Sequence, residues 1–186
     1  MYIRLLAPLA LYVFVFARDD IDAMNFYQDV LPANSTDPLY LVGFSASLNK
    51  SIITCVHTTY TNRTGEWVTR MVWVNVNLPP LKPQLVGLPF DVRVPDTLIM
   101  FTLELKVMRS LRQYFGAMST YRIIYYDNHT MILGDRMPGV SEKAVCSVWV
   151  KGEYKEETQL PVMTNVSFHS NCKNPKYAAY PKSCPV

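Results

Sequence analysis

The sequence predicts an all-β domain of antiparallel strands, and three observations carry that prediction. From Leu39 onward, short runs rich in Val, Ile, Thr and aromatic residues are broken by turn formers at roughly the 8–12-residue spacing of a sandwich or barrel. The clearest run, Leu98 to Met108, alternates strictly: Ile99, Phe101, Leu103, Leu105 and Val107 share one face, and Met100, Thr102, Glu104 and Lys106 the other. One dry face and one wet face is the pattern of an antiparallel sheet. Aromatic residues make up 12% of the chain and many fall in these alternating segments, where a pleated, half-buried surface favours them.

Eight runs are long enough to be strands. They are Leu39 to Ser47, Ile52 to Thr61, Glu66 to Asn77, Leu88 to Val94, Leu98 to Met108, Thr120 to Asp127, Met131 to Leu133 and Ala144 to Lys151. Before the first, residues 20–30 carry an acidic start that suits a helix dipole, with apolar Ile21, Met24, Phe26 and Val30, so two turns of helix ending at Pro32 are expected. The stretch from Pro79 to Pro95 is proline-dense, and any strand within it must be an edge, bent or short, because proline donates nothing to a ladder. After Pro161 come turn formers at Asn171, Asn174-Pro175 and Pro181 together with two of the cysteines, the composition of a tail strapped to a body.

The first 17 residues read as a secretory leader: Arg4, an apolar run from Leu5 to Phe16, and small residues Val15 and Ala17 at the cleavage positions. That run is too short to span a bilayer, and no second apolar stretch of spanning length follows it. Residues 18–186 are then one domain, and with 49% hydrophobic residues they are able to build a core. Acceptors of the form Asn-x-Ser/Thr at Asn34, Asn49, Asn62, Asn128 and Asn165 agree with export and predict a glycoprotein. The four cysteines, Cys55, Cys146, Cys172 and Cys184, are even in number and contain no CxxC pair, which predicts two disulfides with three pairings open.

Charge and motif content exclude several classes. The formal charge of +3 is spread along the chain, without the basic patch that nucleic acid or an anionic membrane demands. His57, His129 and His169 have no ligand-like spacing, so no metal site is expected. No nucleophile–base pair, phosphate loop, HExxH helix or carboxylate dyad is recognisable, and neither catalysis nor a cofactor is expected. An immunoglobulin-like module is the rival architecture. Cys55 and Trp67 could begin its pattern, but Ala144 stands two positions before Cys146, where such a domain needs tyrosine.

Several strings in order resemble one family. Asp22-Ala23-Met24, Leu39-Tyr40-Leu41-Val42, Thr54-Cys55-Val56, Ile124-Tyr125-Tyr126-Asp127-Asn128, Cys146-Ser147-Val148-Trp149-Val150 and the closing Tyr180-Pro181-Lys182-Ser183-Cys184 are similar to the helix motif, strands and cysteine tail of the salivary lipocalins of ticks, the histamine-binding protein family. The resemblance implies an eight-stranded antiparallel lipocalin barrel with a short N-terminal helix and a disulfide-tied C-terminal tail. It also implies that Cys55 pairs with Cys184, which leaves Cys146 for Cys172. His129 stands where the family usually has a cysteine, so the second bridge is arranged differently here.

A barrel of this size has room inside for side chains or one small ligand. Amine-binding members of the family hold a cation with inward carboxylates and aromatics, which suits a desolvated ammonium. This chain departs from that set: Ser147 and Thr130 replace acids, and the loop Ser47-Leu48-Asn49-Lys50 lacks the family's acidic segment. The candidate ligand wall is therefore Tyr40, Met71, Trp73, Phe101, Tyr125, Ser147 and Trp149, with Glu104 the mid-strand acid, a lining better suited to a neutral or lipid-like molecule than to a dication. The expected function is a secreted, monomeric binder of a small host mediator, a biogenic amine such as histamine or a lipid, that dampens host defence. The alternative is a filled barrel or immunoglobulin-like glycoprotein whose surface binds a host protein.

Overall fold

The computed structural model describes residues 31–94, 97–102, 104–135, 142–152, 160–178 and 184. The leader and the helix expected over residues 20–30 lie outside the described residues. Eight strands form the barrel: β1 (Leu39–Ser45), β2 (Ile53–Thr64), β3 (Trp67–Val76), β4 (Gln84–Arg93), β5 (Leu98–Phe101), β6 (Thr120–Tyr126), β7 (Thr130–Gly134) and β8 (Cys146–Lys151). Each pairs antiparallel with the next, β8 pairs with β1, and β1 pairs with β2 through Leu39 and Tyr40, which closes the cylinder. The rival sandwich is excluded by that closure. A ninth strand, β9 (Pro175–Tyr177), pairs with Gly43 to Ser45 on the stretch of β1 beyond its pairing with β2.

The largest departure from expectation is in the fifth run. β5 ends at Phe101, and Leu105–Phe115 is a helix, α1, in the long connection to β6. Strict alternation from 98 to 108 coincided with a second pattern: Val107, Met108 and Leu111 recur at helical spacing among strong helix formers such as Lys106, Arg109, Arg112 and Gln113. Val107 and Leu111 are buried, while Lys106, Arg109, Arg112 and Gln113 are exposed. The helix stops at Gly116, whose φ of 62° is left-handed; its N–H donates to the Arg112 carbonyl at 3.0 Å and that of Ala117 to Leu111 at 3.2 Å.

The proline-dense stretch does form a strand. β5 pairs only with Asp91 to Arg93, so the preceding part of β4, which contains Pro89, lies beyond that pairing, at an edge where a missing N–H is tolerated.

A second helix, α2 (Val162–Asn171), packs on the outside of the barrel between β6, β7 and β9. Its Phe168 is fully buried against Tyr40, Val42, Ile132 and Val148. β7 is consequently buried on both faces, Met131 and Leu133 inward and Thr130 and Ile132 beneath the helix. Two disulfides complete the body. Cys146–Cys172 fastens the end of α2 to β8, and Cys55–Cys184 ties the tail to a bulge of β2, their Cα atoms 5.6 and 5.4 Å apart. Cross-links of this kind contribute about 2–4 kcal/mol each.

Asp127, in the β6–β7 turn, joins α2 to the barrel by hydrogen bonds. Its carboxylate accepts the backbone N–H groups of His129 and Thr130 at 2.8 and 2.7 Å and the hydroxyls of Thr130, Tyr125 and Thr164 at 3.0, 3.2 and 3.4 Å; Thr130 and Thr164 are themselves 2.7 Å apart. Burial alone would raise its pKa, but these donors together hold it below the ordinary carboxylate value. The folded state therefore gains stability that is fully present above the unfolded pKa of about 3.9 and is lost as the pH falls through the lower folded value. Asp127→Ala is expected to lower stability by about 1–3 kcal/mol at pH 7 and by progressively less as the pH falls below about 3.9, read from thermal melts across that range.

Candidate functional site: an aliphatic cavity inside the barrel

The barrel interior is not filled. It encloses a cavity of about 290 Å³, close to the lower end of the roughly 300–1,000 Å³ of small-molecule sites. The walls are mainly aliphatic, with Leu39 and Leu41 from β1, Val56 from β2, Val72 from β3, Val92 from β4, and Met131 and Leu133 from β7. Each is an inward position of a strand whose neighbours point out, as period 2 requires. Aliphatic residues of modest size on most staves leave the axis open.

One end is a mouth. Asn49 and Lys50 of the β1–β2 turn and Gly116 after α1 line it and are exposed, and Leu111 of α1 reaches in from the side. The segment after β5 thus forms part of the rim. The other end is a floor, where the short 3-10 turn Pro32–Asn34 lies with Leu31 and Ala33 at 1% exposure.

Arg70 of β3 sits at this floor, 1% exposed and part of the cavity wall. Its Nε donates to Thr58 Oγ1 at 2.9 Å, Nη1 to the carbonyls of Ala33 and Ser35 at 3.3 and 2.6 Å, and Nη2 to the carbonyl of Asp37 at 2.6 Å. Burial pulls its pKa down to about 10, the nearby Asp37 charge opposing the shift, so the group stays cationic at neutral pH. It fastens the N-terminal segment across the barrel bottom. Tyr121, also on the wall, accepts the Met118 N–H at 2.9 Å, and burial raises its hydroxyl pKa despite that bond.

Of the residues expected at the ligand wall, Ser147 and Trp149 line the cavity, joined by an indole N–H to hydroxyl bond of 3.0 Å. The others stand elsewhere. Tyr40 and Tyr125 lie in the outer cluster around Phe168, beneath α2. Met71 and Trp73 occupy the outward phase of β3; Trp73 donates to Thr59 at 3.0 Å and covers Gly87, where an added Cβ would fall 2.6 Å from its ring. Phe101 is 46% exposed and rests against Trp67, and Glu104 is the exposed residue preceding α1. Among the described residues, the acid on the cavity wall is Asp135. Thr58, Arg70, Met100, Leu111 and Tyr121 were not legible as wall residues in the sequence. Among the described residues no group of three His, Cys, Asp or Glu side chains is placed to hold a metal ion, and no helix is long and apolar enough to cross a membrane.

Comparison with known proteins agrees with the barrel. No family model matches the chain. It is 30% identical to Japanin of Rhipicephalus appendiculatus over 166 residues, covering 88% of this chain and 89% of that one. It is 26% identical to Japanin-like-RS of Rhipicephalus sanguineus over 187 aligned positions, 99% of each. The crystal structure of Japanin bound to cholesterol superposes with a TM-score of 0.70 at 28% identity, covering 83% of this chain and 99% of that one. Apocrustacyanin C2 superposes with a TM-score of 0.50 at 10% identity over 85% of this chain and 88% of its own, a likeness of fold alone. Closed barrel, disulfide-tied tail and kinship together place this chain among the tick salivary lipocalins, in the family of Japanin.

Proposed function

We propose that this chain is an exported lipocalin that sequesters one small, mainly apolar ligand, a sterol or comparable lipid, inside its barrel and so dampens a host response. The single observation that carries the reading is the cavity itself: enclosed on its sides by aliphatic residues, open at a rim, and floored by a few polar groups. Burying a hydrocarbon body there gains about 25 cal/mol for each Å² of apolar surface removed from water. The cholesterol held by the related Japanin supports a sterol as the first ligand to test.

A biogenic amine fits the site less well. A desolvated dication needs paired carboxylates. Glu104 is exposed and off the cavity wall, which leaves Asp135 as the cavity-lining acid among the described residues, with Lys50 also on the wall. Export rests on the leader, and glycosylation on the five sequons; Asn49, Asn62 and Asn128 are exposed, positions open to a sugar.

Displacement of a fluorescent sterol by cholesterol, oleic acid, leukotriene, serotonin and histamine tests the reading. Saturable binding of cholesterol or another lipid at one site per chain is the expected result. Saturable binding of histamine alone, or of no small molecule, would overturn it and leave a protein partner as the working alternative.

A further inference from the structure

The floor of the cavity holds hydrogen-bond donors that have no protein acceptor among the described residues. Arg70 has five N–H groups in a fixed fork. Four are placed: one from Nε on the Thr58 hydroxyl, two from Nη1 on the carbonyls of Ala33 and Ser35, and one from Nη2 on the carbonyl of Asp37. The second Nη2 proton has no acceptor among the described residues. Thr58 is in the same position. Its oxygen receives the Arg70 Nε–H, so its own proton must point elsewhere, and no protein acceptor among the described residues receives it.

Both side chains are almost completely buried, at 1% and 2% exposure, and both line the cavity. A buried donor left unpaired costs about 1–3 kcal/mol, and more where one partner is charged, so an acceptor brought by a ligand is worth most at this spot. Ser147 and Tyr121, the other hydroxyls on the wall, likewise accept an N–H and keep a proton of their own, but both are only half-buried and neither is bonded to a charged group. Asn49 and Lys50 at the rim are exposed to water, which competes for any bond they offer.

We propose that Thr58 and Arg70 form an anchor for the oxygen-bearing end of the ligand, which enters polar end first and leaves its hydrocarbon body along Val72, Met131 and Leu133 toward the rim. This inference rests on the sequestration reading above. The shared chemistry is an oxygen acceptor, supplied either by a sterol hydroxyl or by a fatty-acid carboxylate. A site built around unpaired donors rejects an analogue that lacks the acceptor, as a merely apolar pocket does not.

The test compares cholesterol with 5α-cholestane, which lacks the hydroxyl, and oleic acid with octadecene, on wild type, Thr58→Val and Thr58→Ser. At least one oxygenated probe is expected to bind wild type about tenfold more tightly than its hydrocarbon partner. Thr58→Val should erase that preference by weakening the oxygenated probe alone, and Thr58→Ser should keep it. The pair that behaves so identifies the acceptor as hydroxyl or carboxylate. Equal binding within both pairs overturns the anchor while sequestration stands, and so does a preference that survives Thr58→Val and disappears in Ser147→Ala. No binding of any probe to wild type overturns sequestration and the anchor with it. Because Thr58→Val also orphans the Arg70 Nε–H, the wild-type Arg70 Nε resonance is followed as well. A shift with the oxygenated probe that its hydrocarbon partner does not cause supports the anchor, and identical spectra within both pairs refute it.

Discussion

Val72→Trp is expected to abolish ligand binding, weakening it by at least about 100-fold, without lowering the melting temperature. Val72 lies in mid-strand, paired with Thr58 on β2 and Leu88 on β4, and its 5%-exposed side chain is part of the cavity wall. An indole there occupies space a ligand needs, and 100-fold corresponds to about 2.7 kcal/mol. The same substitution fills a void, a change that commonly stabilises by about 0.5–2 kcal/mol when the new side chain fits. The two readouts should therefore diverge. Cholesterol binding by titration and unfolding by calorimetry on the same preparation check this, and a variant that loses both equally has been misfolded instead of plugged.

Arg70→Met is expected to destabilise the fold by about 2–4 kcal/mol, because methionine matches the stem of arginine but donates nothing. The carbonyls of Ala33, Ser35 and Asp37 and the hydroxyl of Thr58 lose their partner together, three of them on the segment that crosses the barrel floor. The loss should be local before it is global. Amide exchange is expected to accelerate first in residues 31–37, with β7 protected longest because it is buried on both faces. Uniform acceleration through the barrel would mean that Arg70 does not hold the floor.

The series of antiparallel strands was legible because local chemistry enforces alternation and turn formers, whereas the closed barrel and the pairing of Cys55 with Cys184 were read from the resemblance to the tick salivary lipocalins, since the residues alone left three pairings open. The inward phase was harder to read. In β3, Val68, Val72 and Val74 share their phase with Arg70, and a charge in that phase makes it look wet, so the aromatics of the opposite phase look like the interior. The fold reverses this because Arg70 is satisfied by carbonyls contributed from more than 30 residues away in sequence, a tertiary fact with no local signature. Tyr40 and Tyr125 were read inward for a related reason: they are buried, but under α2, and a helix docked on the outer face gives β1, β6 and β7 two dry sides. Residues 98–108 satisfied two periods at once, and the short β5 won only as far as Phe101.

The most direct test of a ligand held inside the barrel is a methyl NMR titration with cholesterol. The predicted shifts are confined to the inward methyls of Val72, Leu98, Met100, Met131 and Leu133 and saturate at one equivalent. Shifts confined to the exposed methyls of Leu81, Val162 and Met163, or no shifts at all, would contradict it.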